Sequence, residues 1–131
     1  MNTTRYLIRN GNVHDGTGSP PRRDDIRITG ERIEEVGPNL VAKGEVIVDA
    51  DGLIVSPGLI DLHVHVFSGM GLYSVDPSDA GLRTGVTSML DTGTAGALTY
   101  PNFARLIIPA AHEDIFTLLN ISMIGALQGH P

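Results

Sequence analysis

The chain has 131 residues, 41% of them hydrophobic, and a mean hydropathy of +0.07. That suits one ordinary domain and excludes a disordered polymer, and no apolar run approaches the roughly 18 residues of a membrane span. The formal net charge is −6 and Lys43 is the single lysine, which excludes nucleic acid as a natural partner. Cysteine is absent, so there is no disulfide framework and no thiolate metal site, and any metal must be held by histidine and carboxylate. The same absence fits a reducing cytoplasm, and no basic segment followed by an apolar one opens the chain as a signal peptide would.

Residues 1–56 read as short β elements joined by tight turns. Arg5 to Arg9 forms a first strand, Asn10-Gly11 a turn, and Asn12 to His14 a second short segment. The run Asp15 to Asp25, DGTGSPPRRDD, is a loop by its glycines, prolines and charge. DIRIT then alternates Ile26 and Ile28, Gly30-Glu31 fits a two-residue turn with glycine first, and RIEEVG resumes with Ile33 and Val36, which predicts a hairpin. EVIVDA and LIVS flank Asp51-Gly52, a favoured type I′ dipeptide, and predict a second hairpin. Arg22, Arg23, Asp24, Asp25, Glu34 and Glu35 are expected on a solvated outer face.

From residue 57 the pattern changes. After Pro57-Gly58, the stretch Leu59 to Phe67, LIDLHVHVF, has the apolar, β-branched content of a buried strand. His63 and His65 stand in it two apart. Successive strand residues rise about 3.3 Å and face opposite ways, so the two imidazoles share a face with roots about 6–7 Å apart. Both can reach one metal ion at about 2.0–2.1 Å per nitrogen. Asp61 falls on the same face by the same alternation, and a supporting or packing role fits it better than ligation. Ser68 to Val75 is a glycine-rich loop, and Asp76-Pro77-Ser78-Asp79 announces a short helix that stops near Thr84-Gly85. A strand from Val86 to about Leu90 ends in Asp91 and the small-residue loop TGTAGA. A second helix starts near Thr99 to Pro101 with Phe103, Leu106, Ile107 and Ala110 on one face, and Pro109 ends or kinks it. Ile115 to Ser122 is a third buried strand. This β, α, β, α, β order predicts a parallel sheet with crossover helices. Asp91 is read as a loop carboxylate capping local backbone amides, and His14 and His112 as surface residues; His130 has no arguable partner.

In that order, RNGNVHDGTG, DIRITGERIEEVG, VDADGLIVSPGLIDLHVHV and GVTSMLDTG resemble the N-terminal part of the amidohydrolase superfamily. Among its branches the chain is most similar to the amidohydrolase/deacetylase metallohydrolases, neighbours of the dihydroorotases and hydantoinases. The resemblance implies an α/β fold: part of a small β-sandwich over residues 1–56, then the first three units of a (β/α)8 TIM-type barrel over residues 57–131, with the barrel not closed. It implies that His63 and His65 are ligands of the first metal at the C-terminal end of the opening strand, with one or two Zn2+ per complete site. It also implies a small-molecule N-acyl, cyclic amide or ester substrate, and is compatible with a homo-oligomer. A barrel takes about 250 residues, whereas 75 follow Ser56. The family's remaining ligands, a carboxylated lysine, two histidines and a general-base aspartate, are therefore expected beyond residue 131, since Lys43 precedes the barrel. The chain reads as the N-terminal fragment of a protein about three times longer, inactive alone. Its rival readings are a dihydroorotase or hydantoinase branch enzyme, a catalytically inactive scaffold relative, and a free-standing β-rich module with an incidental histidine pair.

Overall fold

The computed structural model describes residues 4–127, and the chain divides into two compact units, residues 1–57 and 58–131. In the first, Asn10-Gly11 does not turn the chain. One strand, β1 (Arg5–Val13), runs straight through it, and the dipeptide makes a bulge where the register to the neighbouring strand shifts between Ile8 and Gly11. Asn10 takes φ 63, a left-handed conformation that asparagine tolerates, and is fastened at both ends: its N–H donates to Asp25 Oδ1 at 2.8 Å and its Nδ2 to Asp49 Oδ1 at 3.0 Å. Gly11 is required by space, because a Cβ there would stand 2.6 Å from Val55 Cγ2.

Strand β2 (Arg22–Thr29) starts inside the expected loop, and β3 (Arg32–Gly37) returns antiparallel with Thr29 opposite Arg32. The predicted hairpin is therefore present. Gly30 has φ 59 and Glu31 is not among the positive-φ residues, which matches a turn with glycine first. The second predicted hairpin is not formed. Strands β4 (Val46–Asp49) and β5 (Ile54–Val55) both pair parallel to β1, with Tyr6–Arg9 and with Asn12–Val13 respectively. Leu53 N donates to Ala50 O at 3.0 Å around Asp51-Gly52, and only Gly52 has positive φ, at 75. A type I′ hairpin turn needs positive φ at both central residues, so this turn steps the chain past the β1 bulge instead of reversing it. The sheet order is β3-β2-β1-β4, with β5 beside the far end of β1.

The charged residues of this unit also depart from expectation. Asp24 and Asp25 are buried, not solvated, because Asp24 accepts from Arg22 Nε at 3.1 Å and Asp25 Oδ2 accepts from Leu40 N at 2.8 Å. Arg27 is buried as well; it donates to Glu45 Oε1 and Val41 O, each at 2.7 Å, and to Glu35. Buried charge is tolerated where acceptors meet it, and here two of the three acceptors of Arg27, Val41 and Glu45, tie the 38–45 loop to the sheet.

In the second unit, β6 (Leu59–Val64), β7 (Val86–Gly96) and β8 (Asp114–Asn120) form a parallel sheet in sequence order, as the alternation predicts. Gly58 opens it because Thr87 lies so close that a Cβ would meet its Oγ1 at 2.0 Å. The short helix α1 (Pro77–Ala80) has Asp76 as N-cap, its carboxylate accepting from Ser78 N at 3.0 Å, and a 3₁₀ turn Leu82–Thr84 ends at Gly85 with φ 85.

Strand β7 is longer than expected. The small-residue stretch stays in the sheet, with Thr92 opposite Leu118 and Gly96 opposite Asn120, and a bulge between them at Gly93, whose φ is 91. The second helix, α2 (Tyr100–Asn102), passes into a π turn Phe103–Ile107 and a 3₁₀ turn Ile108–Ala110 that contains Pro109. The wide turn shifts later residues off the 3.6 period: Phe103 is fully buried, but Leu106 is exposed, contrary to the expected face. Phe103 stacks on Phe67 at 4.8 Å between ring centroids and joins Val64, Val66, Met89 and Ala95 in the core. Burying it stabilises the unit by about 1.5–3 kcal/mol. Leu59, Ile60, Leu62, Phe116, Leu118 and Leu119 remain exposed on the two outer strands.

Candidate metal centre

The core fixes which way the histidines face. Val64 and Val66 are buried with Phe67, Met89 and Phe103; strand alternation turns His63 away from Val64, and His65 follows the last strand residue. Their rings lie edge to face, 5.6 Å between centroids and 79° between planes. His63 is exposed, and His65 is half-buried just past the last residue of the strand. Asp61 shares the alternation, but its carboxylate turns to the backbone, where Oδ1 accepts from His63 N at 2.9 Å. Among the described residues it makes no hydrogen bond to either imidazole.

Asp91, read as a capping carboxylate, does cap backbone amides, although inside β7 and not in a loop. It is fully buried; Oδ1 accepts from Thr94 N at 2.8 Å, and Oδ2 accepts across the sheet from Val66 N at 2.9 Å. Sequence reasoning missed Thr94. Its side chain is 1% exposed, and its Oγ1 stands 2.7 Å from His65 Nδ1. The available signal was the spacing of Asp91 and Thr94, an acceptor and a small hydroxyl three apart at the end of a strand beside the one that carries the histidines. The loop after His65 folds back on it, with Val75 N donating to His65 O at 3.0 Å.

The remaining candidates lie elsewhere. His14 is exposed and 3.3 Å from Asn12 Nδ2, His112 is exposed, Lys43 is exposed in the first unit, and His130 lies outside the described residues. A cavity of about 280 Å³ in the second unit is lined by Asp76, Ser78, His112 and Glu113 among others, but not by His63 or His65. The Ser78 hydroxyl and amide hold the Asp76 carboxyl below its ordinary range, as capping requires.

Two neighbouring imidazoles, one with its Nδ1 already engaged, fit half of a tetrahedral zinc site. Among the described residues no group of three or more His, Cys, Asp or Glu gathers to complete it. The pair can hold a cation but not enclose it.

The sequence comparisons bear on what a parallel sheet with two adjacent imidazoles at the exit of its first strand belongs to. The amidohydrolase family pattern matches residues 54–128, and the chain belongs to the amidohydrolase family. It is similar to a deacetylase of Agrobacterium fabrum, 38% identical over 112 residues, which cover 84% of this chain and 28% of that protein. A dihydroorotase of Bacillus licheniformis is likewise 38% identical over 115 residues, 88% of this chain and 25% of the relative. Among solved structures, a dihydroorotase superimposes with a TM-score of 0.83 at 33% identity, covering 93% of this chain and 32% of the other. The chain thus spans between a quarter and a third of the length of these relatives.

Proposed function

We propose that this chain is the N-terminal part of a metal-dependent hydrolase of amide, cyclic amide or ester bonds in small molecules. Strand β6 opens its (β/α)8 barrel, and residues 1–56 contribute to a small sandwich. The observation that carries this reading is the adjacency of the His63 and His65 rings at the C-terminal end of the first strand of a parallel sheet, the end where such barrels place their chemistry. The exposed apolar residues of β6 and β8 support it, because among the described residues each strand has one edge without a paired strand, where a further strand fits, and an apolar face for a further layer.

His63 and His65 would hold the first metal of a site of one or two zinc ions as neutral imidazoles, with the other ligands and the general base on later strands. Zinc, when bound there, would lower the pKa of a bound water to about 7 and polarise the scissile carbonyl. Asp91 and Thr94 support the His65 segment from β7, next to the core of Val66, Phe67 and Phe103. The deacetylase and dihydroorotase relatives make an N-acyl amino acid and a cyclic amide the first substrates to try. No helix among the described residues is long and apolar enough to cross a membrane, and a cysteine-free chain suits the cytoplasm.

The test uses the complete protein with an N-acetyl amino acid, dihydroorotate and hydantoin, before and after chelation. His63→Asn combined with His65→Asn is expected to abolish metal-dependent turnover. A double variant that keeps both its metal content and its rate overturns the reading.

A further inference from the structure

The two histidines are not held alike. Among the described residues the His63 ring accepts and donates no hydrogen bond, whereas His65 Nδ1 meets Thr94 Oγ1 at 2.7 Å. Thr94 is itself fixed: it is 1% exposed, and its N–H donates to Asp91 Oδ1 at 2.8 Å. The second oxygen of the same carboxylate takes the N–H of Val66, the residue next to His65, at 2.9 Å. One fully buried carboxylate on β7 therefore sets both the backbone beside His65 and the hydroxyl that meets its ring.

We infer that Thr94 is a positioning residue for His65: it engages Nδ1 and leaves Nε2 as the nitrogen that binds metal, with Asp91 holding Thr94 and the β6 exit in register. A hydroxyl can accept from Nδ1–H, and an acceptor on one ring nitrogen fixes the tautomer that bares the other. His65 would thereby be the pre-oriented ligand of the pair, while the exposed His63 ring makes no hydrogen bond among the described residues. Asp91, with both oxygens committed to backbone N–H groups, is a frame for the site and not one of its ligands. The inference rests on the metal-binding reading above.

The test is made on the complete protein, with two readouts that do not depend on turnover: zinc affinity by chelator competition, and the His65 tautomer in the metal-free protein by long-range nitrogen–proton NMR. The metal-free wild type should hold His65 protonated on Nδ1. Thr94→Val, nearly isosteric, should lose that preference and weaken zinc binding about 10- to 100-fold, while Thr94→Ser keeps both. If Thr94→Val binds zinc as tightly as the wild type, the assignment is overturned. It is equally overturned if Val and Ser weaken binding alike with the tautomer unchanged, since Thr94 would then be only a packing residue. His65→Asn separates the two readings. If it loses zinc while Thr94→Val does not, only the Thr94 assignment fails; if it binds zinc like the wild type, the metal reading fails and this one with it.

Discussion

The two units bury charge for different ends. In the first, carboxylates mostly meet guanidinium groups, Arg27 with Glu45 and Glu35 and Arg22 with Asp24, the exception being Asp25, which lies beside Arg9 but accepts from the amides of Asn10 and Leu40. Its buried apolar set is small, Leu7, Val13, Ile26 and Ala50, and the ion pairs tie loop to sheet. In the second unit the two buried carboxylates, Asp91 and Glu113, are satisfied by backbone amides, Glu113 accepting from Leu82 N at 2.9 Å, over a larger core that contains two stacked phenylalanines. A carboxylate paired with arginine fastens one segment to another; a carboxylate that collects amides from two strands fixes backbone positions. The second arrangement underlies the histidine pair, where placement matters most.

Breaking the apolar core of the second unit should have the largest effect. Phe103→Ala should cost about 4 kcal/mol, the range for emptying a buried aromatic site, read as a drop in the urea midpoint without a change in slope. Next, Asp91→Ala leaves two buried N–H groups without acceptors and should cost about 3 kcal/mol. Amide exchange should locate that loss at Val66 and Thr94.

The first unit should answer to acid instead. The Lys43 backbone N–H, followed by the Arg27 guanidinium, holds the Glu45 carboxyl down at about 2 from an ordinary 4.5, against the opposing pull of burial. A pKa depressed by folding contributes stability that is present above about pH 4.5 and is lost as the pH falls toward 2. Glu45→Gln should therefore flatten the acid limb of unfolding, followed by circular dichroism against pH, and weaken the first unit at neutral pH. The smallest effect belongs to the α1 cap: Asp76→Ala should cost about 1 kcal/mol in thermal unfolding.

Local patterns with a single physical reading were legible in the sequence. The Gly30-Glu31 hairpin, the Asp76 cap and the parallel order of the three later strands follow from turn chemistry, capping and periodicity. Where two readings competed, tertiary context chose. Asn10-Gly11 and Asp51-Gly52 carry hairpin dipeptides, yet one is a bulge and the other a step, because β1 runs through both halves and takes β4 and β5 as parallel partners. Asp25 looked solvated because its acceptor role depends on Asn10 and Leu40, each 15 residues away in sequence. At the candidate centre the i, i+2 spacing made the histidine pair visible, while Thr94 was hidden in a stretch of small residues whose composition resembles a loop.

The central claim is that the rings of His63 and His65 converge on one cation. Crystals of the complete protein grown with zinc, measured on both sides of the zinc absorption edge, test it most directly. The account predicts an anomalous peak about 2.0–2.1 Å from a nitrogen of each ring. A fully loaded crystal with its zinc elsewhere, or bound to neither imidazole, would contradict it.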